Sequence, residues 1–466
     1  MFFYDISWLL LYMWYNIYRY KFARKGIWIM KKNAIISFCL IILLLLISIF
    51  SYNNYINTKT NDIRTINLKD LEYKEFNLSK EDYIEDFNFA YNTLKEHYPF
   101  FEVNKKLYGI DWLSNKEKYE AYIAESKDDA DFFTRMNTIL ADLNNLHTQL
   151  VPSYMGLEYY ISYYSNPKCT WRHDIAKIYE KDDVRRRYNI NNEVIENVIN
   201  QYIKSDDEVN KTYSKNLMTE NIIKDKLAYI RISSLIGMEY INQDRDIVIN
   251  YLNEIKDYPF LIIDIRGNGG GYSNYWQEFL LPKIVDKKYE TKNYFLMKSG
   301  EDYEKIYKQL EFKNDVKTFL DNSSFSDDVK KILSDFDCYT PLEISVKPSK
   351  DSIHYKGKIY LLVDNGVYSS AEMLASFCKE TKLATLVGSR TGGDGIGFDP
   401  MQVDLPNTAF VMRFSNVMGV TESGSINELD QTVPDIIVQE SEEDKTGYLE
   451  NQRIIKAVMR DAGLSK

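Results

Sequence analysis

Two short apolar runs limit what this chain can fold into. Phe260-Leu261-Ile262-Ile263-Asp264-Ile265 and Ile359-Tyr360-Leu361-Leu362-Val363 are of strand length and almost without polar alternation. Runs of that kind are the mark of strands buried on both faces. The first ends in Arg266-Gly267-Asn268-Gly269-Gly270-Gly271. The second passes through Asp364-Asn365-Gly366 into a stretch where Ala371, Leu374, Ala375 and Cys378 recur at helical spacing. Strand, turn, then helix predicts an α/β fold.

The second junction reads Tyr368-Ser369-Ser370-Ala371-Glu372. It offers a serine at a helix N-terminus, where unpaired N–H groups and the helix dipole favour negative charge. That suits a nucleophile. The same spacing, Ser369 with Glu372, also fits a capping box. The glycine run at 267–271 lets backbone N–H groups approach a ligand. It is not a phosphate loop, because no Gly-Lys-Ser/Thr follows.

The chain has 466 residues, enough for two or three units, and 45% hydrophobic residues support a sizeable core. A net charge of −10, with no basic stripe, argues against a nucleic-acid partner. The four cysteines, Cys39, Cys169, Cys338 and Cys378, have neither metal-ligand spacing nor the pattern of a disulfide framework.

Residues 34–51 are uncharged and mostly aliphatic, follow Lys21, Arg24, Lys25, Lys31 and Lys32, and precede Asn53, Asn54 and Asn57. The run is about long enough to span a bilayer core, and the basic flank predicts a cytoplasmic N-terminus with the bulk outside. We read it as an uncleaved signal-anchor in the cell membrane. Residues 1–33 are then a cytoplasmic or over-extended N-terminus, with Met30 a candidate start. Residues 52–79 read as a linker and 80–225 as a helical cap region. Residues 226–440 read as the α/β core, with a helical insertion or lid at 298–352, and 441–466 as a C-terminal helix. In the cap, the stripe Phe132, Phe133, Met136, Ile139, Leu140 and Leu143 runs into Leu146-His147-Thr148. If that helix continues, His147 shares its buried face.

Taken in order, these features resemble the tail-specific (C-terminal processing) protease family of serine peptidases, in its tricorn-core and retinoid-binding-protein branch. The resemblance covers roughly residues 85–150 and 226–440. It rests on Asp264 to Gly271, on Ser369 to Glu372, on the glycine turn Gly388 to Gly395, and on Asn145-Leu146-His147-Thr148. It implies a crotonase-like β-sheet core flanked by helices, with an N-terminal helical cap. Ser369 becomes the nucleophile, His147 the general base and Glu428 the acid that orients it. The backbone N–H groups of Ser370 and Gly270 become the oxyanion hole, with Gly269 as the alternative. Asp394 stands where a Ser-Lys relative carries its lysine, which points to the Ser-His-Glu arrangement. Glu428 is preferred to Asp430 and Asp394 because it precedes Pro434 by six residues, as in the family. The implied substrate is a peptide or unfolded protein, and no metal or organic cofactor is needed. A non-catalytic, ligand-binding relative is the other reading, and an acyl-CoA enzyme on a similar fold a third.

Overall fold

The computed structural model describes residues 74–164, 170–193, 195, 216–238, 241–300, 308–439 and 448–464. The apolar segment at 34–51 lies outside them, as does most of the 52–79 linker. Among the described residues no helix is long and apolar enough to cross a membrane.

Twelve strands are described: β1 Gln149–Leu150, β2 Leu217–Ile223, β3 Leu227–Ile232, β4 Phe260–Asp264, β5 Tyr289–Met297, β6 Cys338–Val346, β7 Lys358–Val363, β8 Thr385–Gly388, β9 Met401–Asp404, β10 Val411–Phe414, β11 Met418–Thr421 and β12 Ile436–Ile437. Six build a central sheet in the order β12-β8-β7-β4-β3-β2, parallel from β3 to β12 with β2 antiparallel at one edge. The chain is therefore an α/β fold on a mixed sheet. The two apolar runs are its centre, β4 and β7. Alternate side chains of each enter two different cores, which is why neither run shows polar alternation. Leu261, Ile263, Ile359, Leu361 and Val363 pack against the helices Ile241–Ile255, Leu281–Ile284 and Ser370–Thr381. Ile262, Tyr360 and Leu362 face the helix Arg453–Asp461.

Two antiparallel three-stranded sheets, β11-β5-β6 and β1-β10-β9, complete the strand set. The 298–352 region is not the wholly helical insertion its charge pattern suggests. Its second half holds β6, which pairs with β5 over nine residues from Tyr289↔Val346 to Met297↔Cys338. The alternating burial of β6 was hidden by the charged sequence on either side of it and by Pro341 within it.

The N-terminal helices follow the expected stripes. Lys80–His97 opens with a capping box between Ser79 and Asp82 and buries Phe87, Ala90, Tyr91 and Leu94. Asp129–Ala141 is capped by Asp128 and buries Phe132, Met136, Ile139 and Leu140. These side chains share one core with Phe295, Leu296, Met412 and Phe414 from the antiparallel sheets. Over the described residues the helical region is thus continuous with the strands and is not a cap with a core of its own. The second helix stops at Ala141, and Asn144 takes a left-handed φ of 53°. His147 consequently lies in the turn leading to β1, not on a continued helical face.

Candidate active site

Strands β4, β7 and β8 run parallel, so their C-terminal loops meet at one edge of the sheet, where open α/β sheets commonly bind ligands. The glycine turn after β4, the Asp364–Ser369 turn after β7 and the Ser389–Asp394 turn after β8 converge there. Asn268 ties the first two together. Its Nδ2 donates to Ile232 O at 3.0 Å, its Oδ1 accepts the Gly270 N–H at 2.9 Å, and its carbonyl accepts the Tyr368 N–H at 3.2 Å. Gly393 O accepts the Ser369 N–H at 3.4 Å, extending the β7–β8 pairing past the strand ends.

Ser369 is half-buried and heads the helix Ser370–Thr381 with φ 57° and ψ −128°. A residue with a Cβ avoids that conformation, at a cost of about 1–3 kcal/mol. Strain of this sort on a strand-to-helix turn lifts a serine hydroxyl out of the helix end. The capping-box reading does not hold, since Ser369 makes no side-chain cap bond. Glu372 instead turns into the interior, where Oε1 accepts from Asn427 Nδ2 and Thr432 Oγ1, both at 2.7 Å. Burial pushes its carboxyl up to about 7. Gly270 packs so closely on the nucleophile that a Cβ there would lie 2.8 Å from Ser369 Cβ, at a φ of 103°.

His147 comes to the same place from the N-terminal region. Its ring centroid is 4.9 Å from that of Tyr368, the residue before the nucleophile. Its Nδ1 lies 2.7 Å from Asp394 Oδ2. Here the structure departs from the expected arrangement: Asp394, not Glu428, holds the imidazole. Asp394 has a left-handed φ of 48°, which turns its carboxylate inward from the glycine turn. Asn145 Nδ2, at 2.7 Å, Ser415 Oγ, at 2.9 Å, and Tyr368 OH, at 3.1 Å, converge on the same oxygen. Burial alone would raise this carboxyl. The facing His147 charge and the hydrogen bonds from His147, Asn145 and Ser415 bring it below the ordinary carboxylate value.

Glu428 sits one step behind. Its Oε1 accepts from Asn145 Nδ2 at 3.1 Å, while Oε2 is buried with no hydrogen-bond partner. Burial and the neighbouring Asp394 charge hold its carboxyl well above the usual range. Asp430 is engaged elsewhere, accepting from Ser425 Oγ and the Ile426 N–H. The Gly270 N–H expected in the oxyanion hole is taken by Asn268 Oδ1, whereas the Ser370 N–H has no acceptor among the described residues.

Spacing alone did not single out Asn145, Ser415 and Tyr368. For Asp394 the sequence offered its place in the glycine turn, where a Ser-Lys relative carries its lysine, and the spacing to Pro434 favoured Glu428 over it.

Residues 226–438 match the model of peptidase family S41. A candidate peptidase from Parabacteroides merdae superposes with a TM-score of 0.51 at 18% identity, over 83% of this chain and 97% of its own. Mature CPAF complexed with lactacystin gives 0.53 at 14% identity, over 83% and 99%. At these identities the likeness is one of fold. No curated protein matches the chain. With the family match spanning the glycine turn, the Ser369 junction and the Asp394 turn, residues 226–438 carry the peptidase family S41 region, and the protein is a serine-type peptidase, a hydrolase.

Proposed function

We propose that the chain hydrolyses peptide bonds through an acyl-enzyme on Ser369, with His147 as base and Asp394 as the acid that orients it. The observation that carries this reading is the 2.7 Å contact of His147 Nδ1 with Asp394, beside a strained serine at a helix N-terminus. With Nδ1–H donated to Asp394, Nε2 is the nitrogen left to take a proton. Ser369 Oγ attacks the scissile carbonyl carbon as its proton passes to Nε2. The C–N bond then breaks, and the amine leaves with that proton. Water, deprotonated by the same nitrogen, releases the acid and restores the serine. The Ser370 N–H supplies one oxyanion donor. A second requires Asn268 Oδ1 to release the Gly270 N–H, or a neighbouring glycine to take its place.

On the strength of the sequence, the same proposal keeps residues 34–51 as an uncleaved membrane anchor with the catalytic region outside the cytoplasm. The test is cleavage of β-casein, an unfolded polypeptide, by the solubilised full chain. Wild-type cleavage that is lost in Ser369→Ala and in His147→Ala supports the reading. Cleavage retained by Ser369→Ala overturns it. Casein binding without cleavage by the wild type would mark a ligand-binding relative.

A further inference from the structure

A groove of about 680 Å³, which shares no lining residue with the site above, lies between β9, the helix Lys80–His97 and the 174–181 segment. The helix contributes Phe89, Asn92, Thr93 and Glu96, whose spacing of three and four residues defines a single face. On the other side all four residues of β9, Met401 to Asp404, line it. Side chains of a strand alternate between its faces, so a groove that touches four in succession runs along the strand's edge.

That edge is open. β9 is the outer strand of β1-β10-β9 and pairs with β10 alone. The Leu405 N–H donates to Phe410 O at 2.8 Å, which fixes the alternation of the ladder. Val403 and Met401 therefore exchange bonds with β10, while the N–H and C=O groups of Gln402 and Asp404 point outward. Consistently, Val411, opposite Asp404, sends its own N–H and C=O the other way, to Tyr188 OH and the Val151 N–H. No backbone partner meets the outward groups of Gln402 or Asp404 among the described residues. A second observation points to a ligand. Gln402 is only 2% exposed, its Oε1 accepts from Tyr179 OH at 2.6 Å, and its Nε2 is buried with no acceptor. A buried donor left unmet costs about 1–3 kcal/mol.

We propose that this groove is a second polypeptide site, in which an extended segment of the substrate adds to the edge of β9 as a fourth strand. Alternating N–H and C=O groups at strand spacing are met by extended backbone. Gln402 Nε2 then finds a peptide carbonyl, and Phe89, 40% exposed, gains apolar cover from the bound segment. Lys181, held by Asp404, and Glu96 at the groove place both charges within reach of a mixed sequence. The choice of a polypeptide as occupant rests on the peptidase reading, but the site is tested by binding and not by cleavage.

The experiment measures fluorescein-labelled β-casein binding by anisotropy to the solubilised full chain carrying Ser369→Ala. Gln402→Pro in that background removes one outward N–H and the whole side-chain amide, the acceptor for Tyr179 OH included, without touching the β9–β10 bonds. Gln402→Glu replaces the amide N–H donor by a carboxyl oxygen and retains an acceptor for Tyr179 OH. We expect Kd to rise about tenfold for Gln402→Pro and less for Gln402→Glu, each measured at a temperature where the melting curve shows the variant folded. Unchanged affinity in both variants overturns the proposal, as does a parent that fails to bind casein. Should Gln402→Pro not fold, Gln402→Glu decides alone. A dimer that Gln402→Pro converts to monomer, with casein affinity unaltered, would assign the edge to a second copy of the chain and also overturn it.

Discussion

Asp394 and Glu428 divide one task unequally although they share a hydrogen-bond donor. Four donors converge on Asp394 Oδ2, one of them the imidazole. Glu428 receives one, from Asn145, and burial and the Asp394 charge raise its carboxyl well above the usual range. An amide of the same shape keeps the acceptor for Asn145 Nδ2 and leaves the His147–Asp394 contact in place. Glu428→Gln should accordingly keep kcat within about threefold. Asp394→Asn, which favours the wrong imidazole tautomer, should lower it about 10²–10⁴-fold, by analogy with the serine-protease triad. Comparable losses in both, measured on one short fluorogenic peptide, would contradict this division. The serine, the histidine and the glycine turns were legible in the sequence because each sits in a local motif. The identity of the orienting acid was not. It depends on a left-handed φ at Asp394 and on Asn145 reaching across about 250 residues of chain, neither of which leaves a spacing signal.

The element that carries the nucleophile is held by opposing pH dependences. The helix Ser370–Thr381 buries Glu372, whose carboxyl rises to about 7 in the folded chain. Between its ordinary value and about 7 the folded state keeps a proton that the unfolded state has lost, so this residue's contribution to stability falls as pH rises through that window. Asp394 works the other way. Its depressed carboxyl stabilises the fold above the ordinary aspartate value, and that contribution is lost as the medium becomes acid. Glu372→Gln should therefore raise the melting temperature relative to wild type more at pH 8 than at pH 5. An equal difference at both pH values would count against the buried, raised carboxyl. The turn that packs on this helix gives a second check. Gly270→Ala adds a Cβ 2.8 Å from Ser369 Cβ and Tyr368 O at a φ of 103°. It should destabilise the protein by about 1–3 kcal/mol and abolish cleavage. Full activity with an unchanged denaturation midpoint would show that the turn does not press on the nucleophile. The central strands and the first helices could be read from the chain, since burial on two faces or one leaves a plain pattern. β6 could not. It carries Pro341 and lies in a stretch, 298–352, whose charged flanks read as an amphipathic helix.

Across the whole molecule, the site joins chain segments far apart in sequence. His147 arrives from the turn before β1, Ser369 from the end of β7 and Asp394 from the turn after β8. The shared core of the N-terminal helices and the antiparallel sheets makes that meeting possible. The 34–51 segment adds a prediction of its own. On intact cells, added protease should degrade the chain beyond residue 60, and complete protection would contradict an outward-facing catalytic region. The central claim, that Ser369 is an activated nucleophile, is tested most directly by covalent labelling. A serine-directed fluorophosphonate is applied to the folded full chain, and the modified residue is mapped by mass spectrometry. The account predicts a single adduct on Ser369, slowed strongly by Asp394→Asn and little by Glu428→Gln. No adduct, or an adduct on another serine while Ser369 stays unmodified, would contradict it.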